Sequence, residues 1–217
     1  MSRPTASVYI DGLNLYRQKL VHHPDLKWLD LVALSQLMLP THEIVRVRYF
    51  SAKVKVTATD VSAPIRQMIY WRALRTFEPV LTIHEGFMRA DPRKLPAIPR
   101  EYEADGTPKL HRVLKIEEKG SDVSLASHMV LDAATDPSDI HVLLSSDSDF
   151  VPTMNILRAD LKVSTGLFSP IDSPPAKLLA TEPLVTKIVR RSLLVGSQLP
   201  AQLSDSVGMI SRPPSWG

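Results

Sequence analysis

The chain has no cysteine. Disulfides, zinc–thiolate centres and thiol nucleophiles are therefore excluded, and the composition fits a cytoplasmic protein. No window approaches the ~20 apolar residues of a membrane-spanning helix, and no signal-peptide pattern precedes the first apolar run. No membrane partner is expected. There is no Gly-rich loop ending in GK[ST], which argues against a P-loop nucleotidase, and no internal repeat. Charge of one sign is also in short supply: the formal net charge is +3 and the pI about 9.2. That mild basicity is compatible with a nucleic-acid partner but does not specify one.

With 217 residues, 44% of them hydrophobic, the chain is long enough for one domain with a sizeable core. Its most informative stretch is Ile140 to Pro152, IHVLLSSDSDFVP. Ile140 to Leu144 is an apolar run interrupted only by His141, which predicts a strand buried on both faces, as in a parallel sheet. The run ends in Ser145, Ser146, Asp147, Ser148 and Asp149, and Phe150 to Leu157 then reads as a helix. Ligands of open α/β sheets bind at the carboxyl ends of the strands. Two adjacent carboxylates repel unless a cation or proton lies between them. A helix cap needs one Asp or Ser, and five such residues point further, to a divalent cation held by hard oxygen ligands.

Ser7 to Ile10 is a second short strand, followed by Asp11, Gly12, Leu13 and Asn14. Asp11 would end its strand as Asp147 follows the other. Asn14, one short turn on, would orient a carboxylate, a water or a phosphate, or simply cap the turn. Parallel neighbouring strands would bring both clusters to one sheet edge. The third informative place is Glu117-Glu118-Lys119-Gly120-Ser121-Asp122. Helical spacing from Val123 to Ala133 puts Lys119 and Asp122 at a helix N-terminus, a phosphate-friendly position, with a plain cap as the alternative for Asp122. His128 and Asp132, one turn apart on one face, read as structural hydrogen-bonding residues each, in preference to a metal pair.

Elsewhere, Leu26 to Leu39 has helical spacing up to Pro40, with Trp28 in the core. Glu43 to Ala52 alternates as a strand, with an exposed extension through Lys53, Lys55 and Thr57. Pro64 suits the first turn of a helix whose buried side is Ile65, Met68, Ile69, Trp71, Ala73, Leu74 and Phe77. Val80 to Phe87 and Leu110 to Ile116 read as strands. Residues 89 to 109, charged and carrying four Pro, read as a surface insertion or flexible arm. Lys162 to Leu167 is the last expected strand. A helix from Pro174-Pro175 and a helical Val185 to Leu194 follow, and from Gly196 a tail anchored by Trp216.

Basic residues concentrate in the middle third. Lys53, Lys55, Arg66, Arg72 and Arg75 are candidates for contacting an RNA backbone without reading its sequence. Tyr70, Trp71 and Tyr102 are candidates for stacking on bases.

Together VYIDGLNLY, EEKGSDVSLASHMVLDA and VLLSSDSDFVPTMNILR resemble, in order, spacing and strand-then-acid context, the NYN domain family, relatives of PIN-domain and flap-type nucleases. The similarity runs from about Ser7 to Arg191. It implies a three-layer α/β/α, PIN-like domain with a central, mostly parallel sheet, over residues 1–195 with 196–217 as tail. It also implies a ribonuclease dependent on Mg²⁺ or Mn²⁺ and acting on single-stranded or structured RNA. By the same resemblance Asp11, Asp122, Asp147 and Asp149 would be the metal ligands and Asn14 would assist them. Ser145, Ser146, Ser148 and Lys119 would support the site. His128 stands where many relatives carry an acid. Arg212, Pro213, Pro214 and Trp216 resemble a closing element of bacterial members. In-line hydrolysis would leave a 5′-phosphate and a 3′-hydroxyl.

Two rivals stay open: a non-catalytic RNA- or nucleotide-binding module, and a metal-dependent phosphohydrolase of small esters. A haloacid-dehalogenase-type phosphatase is disfavoured, because position 13 is Leu13 and not a second Asp. The sequence leaves the oligomeric state open, a homodimer included.

Overall fold

A computed structural model describes residues 2–56 and 60–217. Thr57, the end of the expected extension, lies outside the described residues. The chain forms a seven-stranded sheet in the order β4-β3-β2-β1-β5-β6-β7, with a separate two-stranded β8-β9 hairpin. The strands are β1 (Thr5–Asp11), β2 (Glu43–Ala52), β3 (Leu81–Pro96), β4 (Leu110–Lys119), β5 (Ile140–Leu144), β6 (Ser164–Ser169), β7 (Val185–Ile188), β8 (Gln202–Asp205) and β9 (Gly208–Ser211). All pairings in the large sheet are parallel except β3 with β4. It is a three-layer α/β/α fold.

The middle strands are buried on both faces because their side chains alternate between two apolar layers. From β1, Ala6, Val8 and Ile10 enter one cluster and Tyr9 the other; from β5, Ile140, Val142 and Leu144 enter the first and Leu143 the second. The first layer is closed by α2 (Leu31–Met38), α3 (Ala63–Arg75) and α7 (Arg191–Val195), the second by α4 (Ser121–Thr135), α5 (Val151–Asn155) and α6 (Ala176–Leu179). Parallel pairing of Ile10 with Leu144 sets the ends of β1 and β5 side by side. Among the described residues no helix is long and apolar enough to cross a membrane.

Several elements differ from the sequence reading. The helix expected over 26–39 is confined to α2, after a 3₁₀ turn at Pro24–Leu26. Asp30 Oδ1 accepts the backbone N–H groups of Val32 and Ala33 at 2.9 Å each and so starts the helix there. Trp28 and Leu29 gain their burial from the C-terminal chain: Trp28 Nε1 donates to the Pro200 carbonyl at 2.8 Å, and Leu29 bridges Gln198. On α3, Ile65 and Met68 lie exposed, while Tyr70 and Trp71 are buried and present no surface platform for bases; Tyr102 is exposed.

The first part of the 89–109 insertion has regular form. β3 runs past its last pairing with β2, at Gly86, and pairs with β4 from Phe87–Lys119 out to Pro96–Leu110. Pro92 is tolerated because this ribbon has a free edge on one side. Strand β6 starts at Ser164, after Lys162 turns the chain with φ +59°. It is not the last strand. The Val185–Leu194 segment divides into β7 and α7, since Val185 to Ile188 pair in parallel with β6. The tail carries the β8-β9 hairpin, and its Trp216 ring packs 6.3 Å from Trp28 and 5.9 Å from Tyr70.

Candidate active site

At the carboxyl ends of β1 and β5 the chain opens into a pocket of about 430 Å³ lined by Asp11, Leu13, Asn14, Arg17, Gln18, Glu117, Glu118, Asp122 and Asp147. Five elements and the segment after β5, which carries Asp147, supply these side chains. Asp11 ends β1. Asn14 lies on α1 (Gly12–Leu15), and a π-helical turn (Tyr16–Leu20) continues it with Arg17 and Gln18. Glu117 and Glu118 end β4. Gly120, with φ +93°, turns the chain into α4, a left-handed conformation that suits glycine, and Asp122 stands in the first turn of that helix.

A short hydrogen-bond web fixes the floor. Asp11 Oδ1 accepts the Asn14 backbone N–H at 2.9 Å, and Asp11 Oδ2 accepts the Ser145 hydroxyl at 2.9 Å. Ser145 Oγ in turn accepts the Asp147 N–H at 3.1 Å. Asn14 Oδ1 accepts both the N–H and the hydroxyl of Ser146, at 3.1 and 3.0 Å. The first and last motifs are thus laced together by side chains that the sequence places 132 to 134 positions apart. Asp147 Oδ1 accepts the Asp149 N–H at 2.9 Å and caps the 3₁₀ turn Ser148–Phe150.

Crowded, partly buried carboxylates resist ionisation. Burial pushes the Asp11 carboxyl up to about 6; the bonds from Asn14 and Ser145 offset part of this and the charges of Asp122 and Glu118 add to it. Burial, then the charges of Asp147 and Asp149, push Asp122 up. Glu118 is raised chiefly by burial, with the Ser121 hydroxyl and then the Arg17 charge drawing it back.

Asp11, Asn14, Asp122 and Asp147 therefore share one pocket. Asp149 is exposed beside it and reaches Asp122 through its charge. Ser145 and Ser146 hold the floor, Ser148 opens the 3₁₀ turn, and Lys119 lies outside the lining, 3.5 Å from Glu117. The five basic candidates are not in this lining. Lys53 and Arg75 pair with Glu85, at 2.8 and 3.0 Å, Arg66 pairs with Asp60, and Arg72 clasps Asp205 at 2.7 Å. Lys55 is exposed. The cation at the acids is Arg17, which with Gln18 and Glu118 escaped the sequence reading. The signal for Arg17 and Gln18 was their position one helical turn after Asn14. For Glu118 it was the same spacing before Asp122.

Among the described residues no group of three or more acidic or histidine side chains is placed to hold a metal ion as they stand. The donor chemistry nevertheless fits a hard cation. Each oxygen of Asp11 keeps a lone pair after one bond, and Asp11, Glu118, Asp122 and Asp147 outnumber Arg17, the cation in the same lining. His128 is not one of the pocket's acids: its Nδ1 meets the Ser124 carbonyl at 2.8 Å and its ring lies 4.2 Å from His84. Asp132, on the next turn, accepts from Arg48 Nη2 at 2.6 Å and from the Tyr9 hydroxyl at 3.0 Å.

The chain is similar to known proteins in sequence and in fold. A curated protein, the 6-hydroxy-3-succinoylpyridine 3-monooxygenase HspA of Pseudomonas putida (strain DSM 28022 / S16), is 30% identical over 184 residues. The match covers 75% of this chain and 58% of that protein, so the chain spans under two thirds of the relative's length. A crystal structure of a protein of unknown function from Vibrio parahaemolyticus RIMD 2210633 shares the fold with a TM-score of 0.51 at 13% identity, covering 91% of this chain and 97% of that one. The model of the NYN domain matches residues 5–186. The chain belongs to the NYN domain family.

Proposed function

We propose that the chain is a divalent-metal-dependent ribonuclease, hydrolysing RNA phosphodiester bonds at the pocket built from Asp11, Asp122, Asp147 and Glu118. The observation that carries this reading is the convergence of three acidic motifs, from separate elements, on one pocket at the carboxyl edge of a parallel sheet. Asp11, Asp122 and Asp147 would hold Mg²⁺ or Mn²⁺, with Glu118 and Asp149 beside them. A bound metal would supply Lewis-acid polarisation of the phosphate and a more acidic water. Asn14 and Ser145 keep the two strand ends in register, so the Asp11 and Asp147 carboxylates stay aligned. Arg17 offers the positive charge that draws a phosphate toward an otherwise anionic pocket. Glu118, in the pocket lining, orients the attacking water or takes up its proton.

A second reading keeps the same acids for a small ring-bearing substrate. The curated relative carries the name of an enzyme acting on a substituted pyridine, and an aromatic-walled cavity adjoins the acids at Leu13. Titrating Asp147→Asn protein with RNAs of increasing length at two salt concentrations separates the readings. A ribonuclease gives affinity that rises with length and falls with salt, with a log–log slope of roughly −0.7 per phosphate contacted. A small-molecule enzyme gives affinity indifferent to both.

A further inference from the structure

Strand β3 leaves the sheet past the edge that carries the acids. It pairs in parallel with β2 as far as Ala52–Gly86, and β1, parallel to β2, ends there at Asp11. From Phe87–Lys119 to Pro96–Leu110 its partner is β4 alone. The ribbon thus rises from the rim of the pocket, and Glu117 and Glu118, near the end of β4, belong to both. Its ten paired positions, at ~3.3 Å per residue, carry it about 30 Å beyond the sheet. Residues directly opposite in an antiparallel pair share a face, so the register sorts the ribbon's charges. On one face every cation has an acid beside it. Arg89 and Arg93 share Asp91, at 2.6 and 3.6 Å, and Lys115 and Lys119 share Glu117, at 2.6 and 3.5 Å. On the other face Lys94 stands opposite Arg112. Both are exposed, and neither has an acidic partner among the described residues.

Like charges directly opposite on two strands destabilise their pairing, and an anion bound between them reverses that effect. The neighbouring pairs on the same face, Pro92–Leu114 and Pro96–Leu110, are apolar, so the counter-charge comes from outside the ribbon. Arg112 precedes Glu118 by six residues on β4, or ~20 Å, with the same side-chain parity. At ~3.4 Å per stacked nucleotide that is about six nucleotides of one strand, fewer where the strand is extended. We propose that the β3-β4 ribbon is an RNA-binding arm, in which Lys94 and Arg112 grip a backbone phosphate of a single strand whose reacting phosphate lies at the acids. The choice of RNA as the polyanion rests on the ribonuclease reading; the placement of the grip rests on the ribbon alone. The contact is to phosphate and reads no sequence.

The full chain carrying Asp147→Asn, in EDTA, is titrated with fluorescein-labelled oligouridylates of four and twelve nucleotides at two salt concentrations, with binding read by anisotropy. Adding Lys94→Gln and Arg112→Gln should weaken the twelve-mer about tenfold and flatten its log–log salt slope by roughly 0.7, one phosphate's worth on a single strand. The four-mer, too short to reach from the pocket to the pair when stacked, should lose nothing. The double variant should melt no lower than its background, since the repulsion is gone; if it unfolds, Lys94→Gln alone is compared. Lys162→Gln removes a charge just ahead of the amino end of β6, at the opposite edge of the sheet, and should bind like the background. A double variant that binds the twelve-mer as tightly as its background overturns the proposal, as does a loss that Lys162→Gln reproduces, or a background protein that binds no RNA. If the pair serves only to keep the ribbon's edge from pairing with other chains, the double variant self-associates and its RNA affinity is unchanged, which also overturns it. RNA cleavage by the parent is scored separately. Cleavage together with unchanged affinity in the double variant sinks the arm alone, and arm-dependent binding without cleavage sinks the catalytic reading alone.

Discussion

The Ser145 hydroxyl donates to Asp11 Oδ2 at 2.9 Å, joining the carboxyl ends of β5 and β1. Both residues are buried, Asp11 with 6% of its surface exposed and Ser145 with none. The bond favours the charged carboxylate, yet burial outweighs it and leaves the Asp11 carboxyl at about 6. A folded-state value raised above the ordinary 3.8 means that folding favours the protonated form. This group's contribution to stability is full below about pH 4 and is lost as pH rises through about 6. Asp11→Asn should therefore stabilise the metal-free protein by on the order of 2–3 kcal/mol at pH 7.5 and by nothing at pH 4. Thermal melts in EDTA across that range test this; equal stability of the two proteins at pH 7.5 would contradict it.

His141 gives the opposite slope. Ser138 N–H donates to its Nε2 at 3.2 Å, so the neutral ring carries its proton on Nδ1, facing the Tyr9 hydroxyl at 3.1 Å. Protonating Nε2 would break the Ser138 bond. Burial, aided by the Arg46 charge, lowers its pKa to about 4. A lowered value gives stability that is present above about 6.5 and lost as pH falls through 4. His141→Leu should unfold with a shallower pH dependence between 6.5 and 4 than the parent, although it is less stable at pH 7. Urea titrations at three pH values in that window provide the check; an unchanged slope excludes His141 as the acid-sensitive group.

Gly12 is fixed by close approach. A Cβ there would lie 2.5 Å from Tyr49 Cε2 and 2.6 Å from the Phe50 carbonyl oxygen. A ring edge can tilt, but a strand carbonyl cannot move without disturbing β2. Gly12→Ala should cost about 1–3 kcal/mol and displace Asp11 and Asn14 together, with activity falling more than stability alone explains. Comparing urea midpoints with turnover separates the two effects.

Much of this was legible in the sequence because the signals were local. Apolar runs gave β1 and β5, and the acids directly after them gave the pocket's floor. What was hidden depends on distant partners. Trp28 looked like part of a helix face because its true cover, Pro200 and Trp216, lies more than 170 positions away. The β3-β4 ribbon carries little apolar alternation, since neither face of its outer part packs on the core, and its prolines imitated a loop. The acidic partners of Arg66, Arg72 and Arg75 were likewise hidden in the sequence. Glu118 was passed over for Asp122, as nothing in a linear pattern shows that the end of β4 brings both acids to one pocket.

Divalent metal should stabilise the protein through the pocket acids. At a Mn²⁺ concentration about 100 times the dissociation constant, linkage predicts ~2.7 kcal/mol, or several degrees of melting temperature for a chain of this size. Asp147→Asn and Glu118→Gln should each show a smaller shift, while Lys55→Ala should shift like the parent. Equal shifts in all four proteins would place the metal elsewhere.

Cleavage of end-labelled RNA tests the central claim most directly. Single-stranded and structured substrates are incubated with the parent protein and with Asp147→Asn, in Mn²⁺, Mg²⁺ or EDTA, and products are resolved with their end groups assigned. The account predicts cleavage by the parent in at least one of the two metals, products bearing 5′-phosphate and 3′-hydroxyl ends, and none in EDTA or with Asp147→Asn. Cleavage that persists in EDTA, or that Asp147→Asn carries out at the parent's rate, would contradict it, as would intact RNA in both metals.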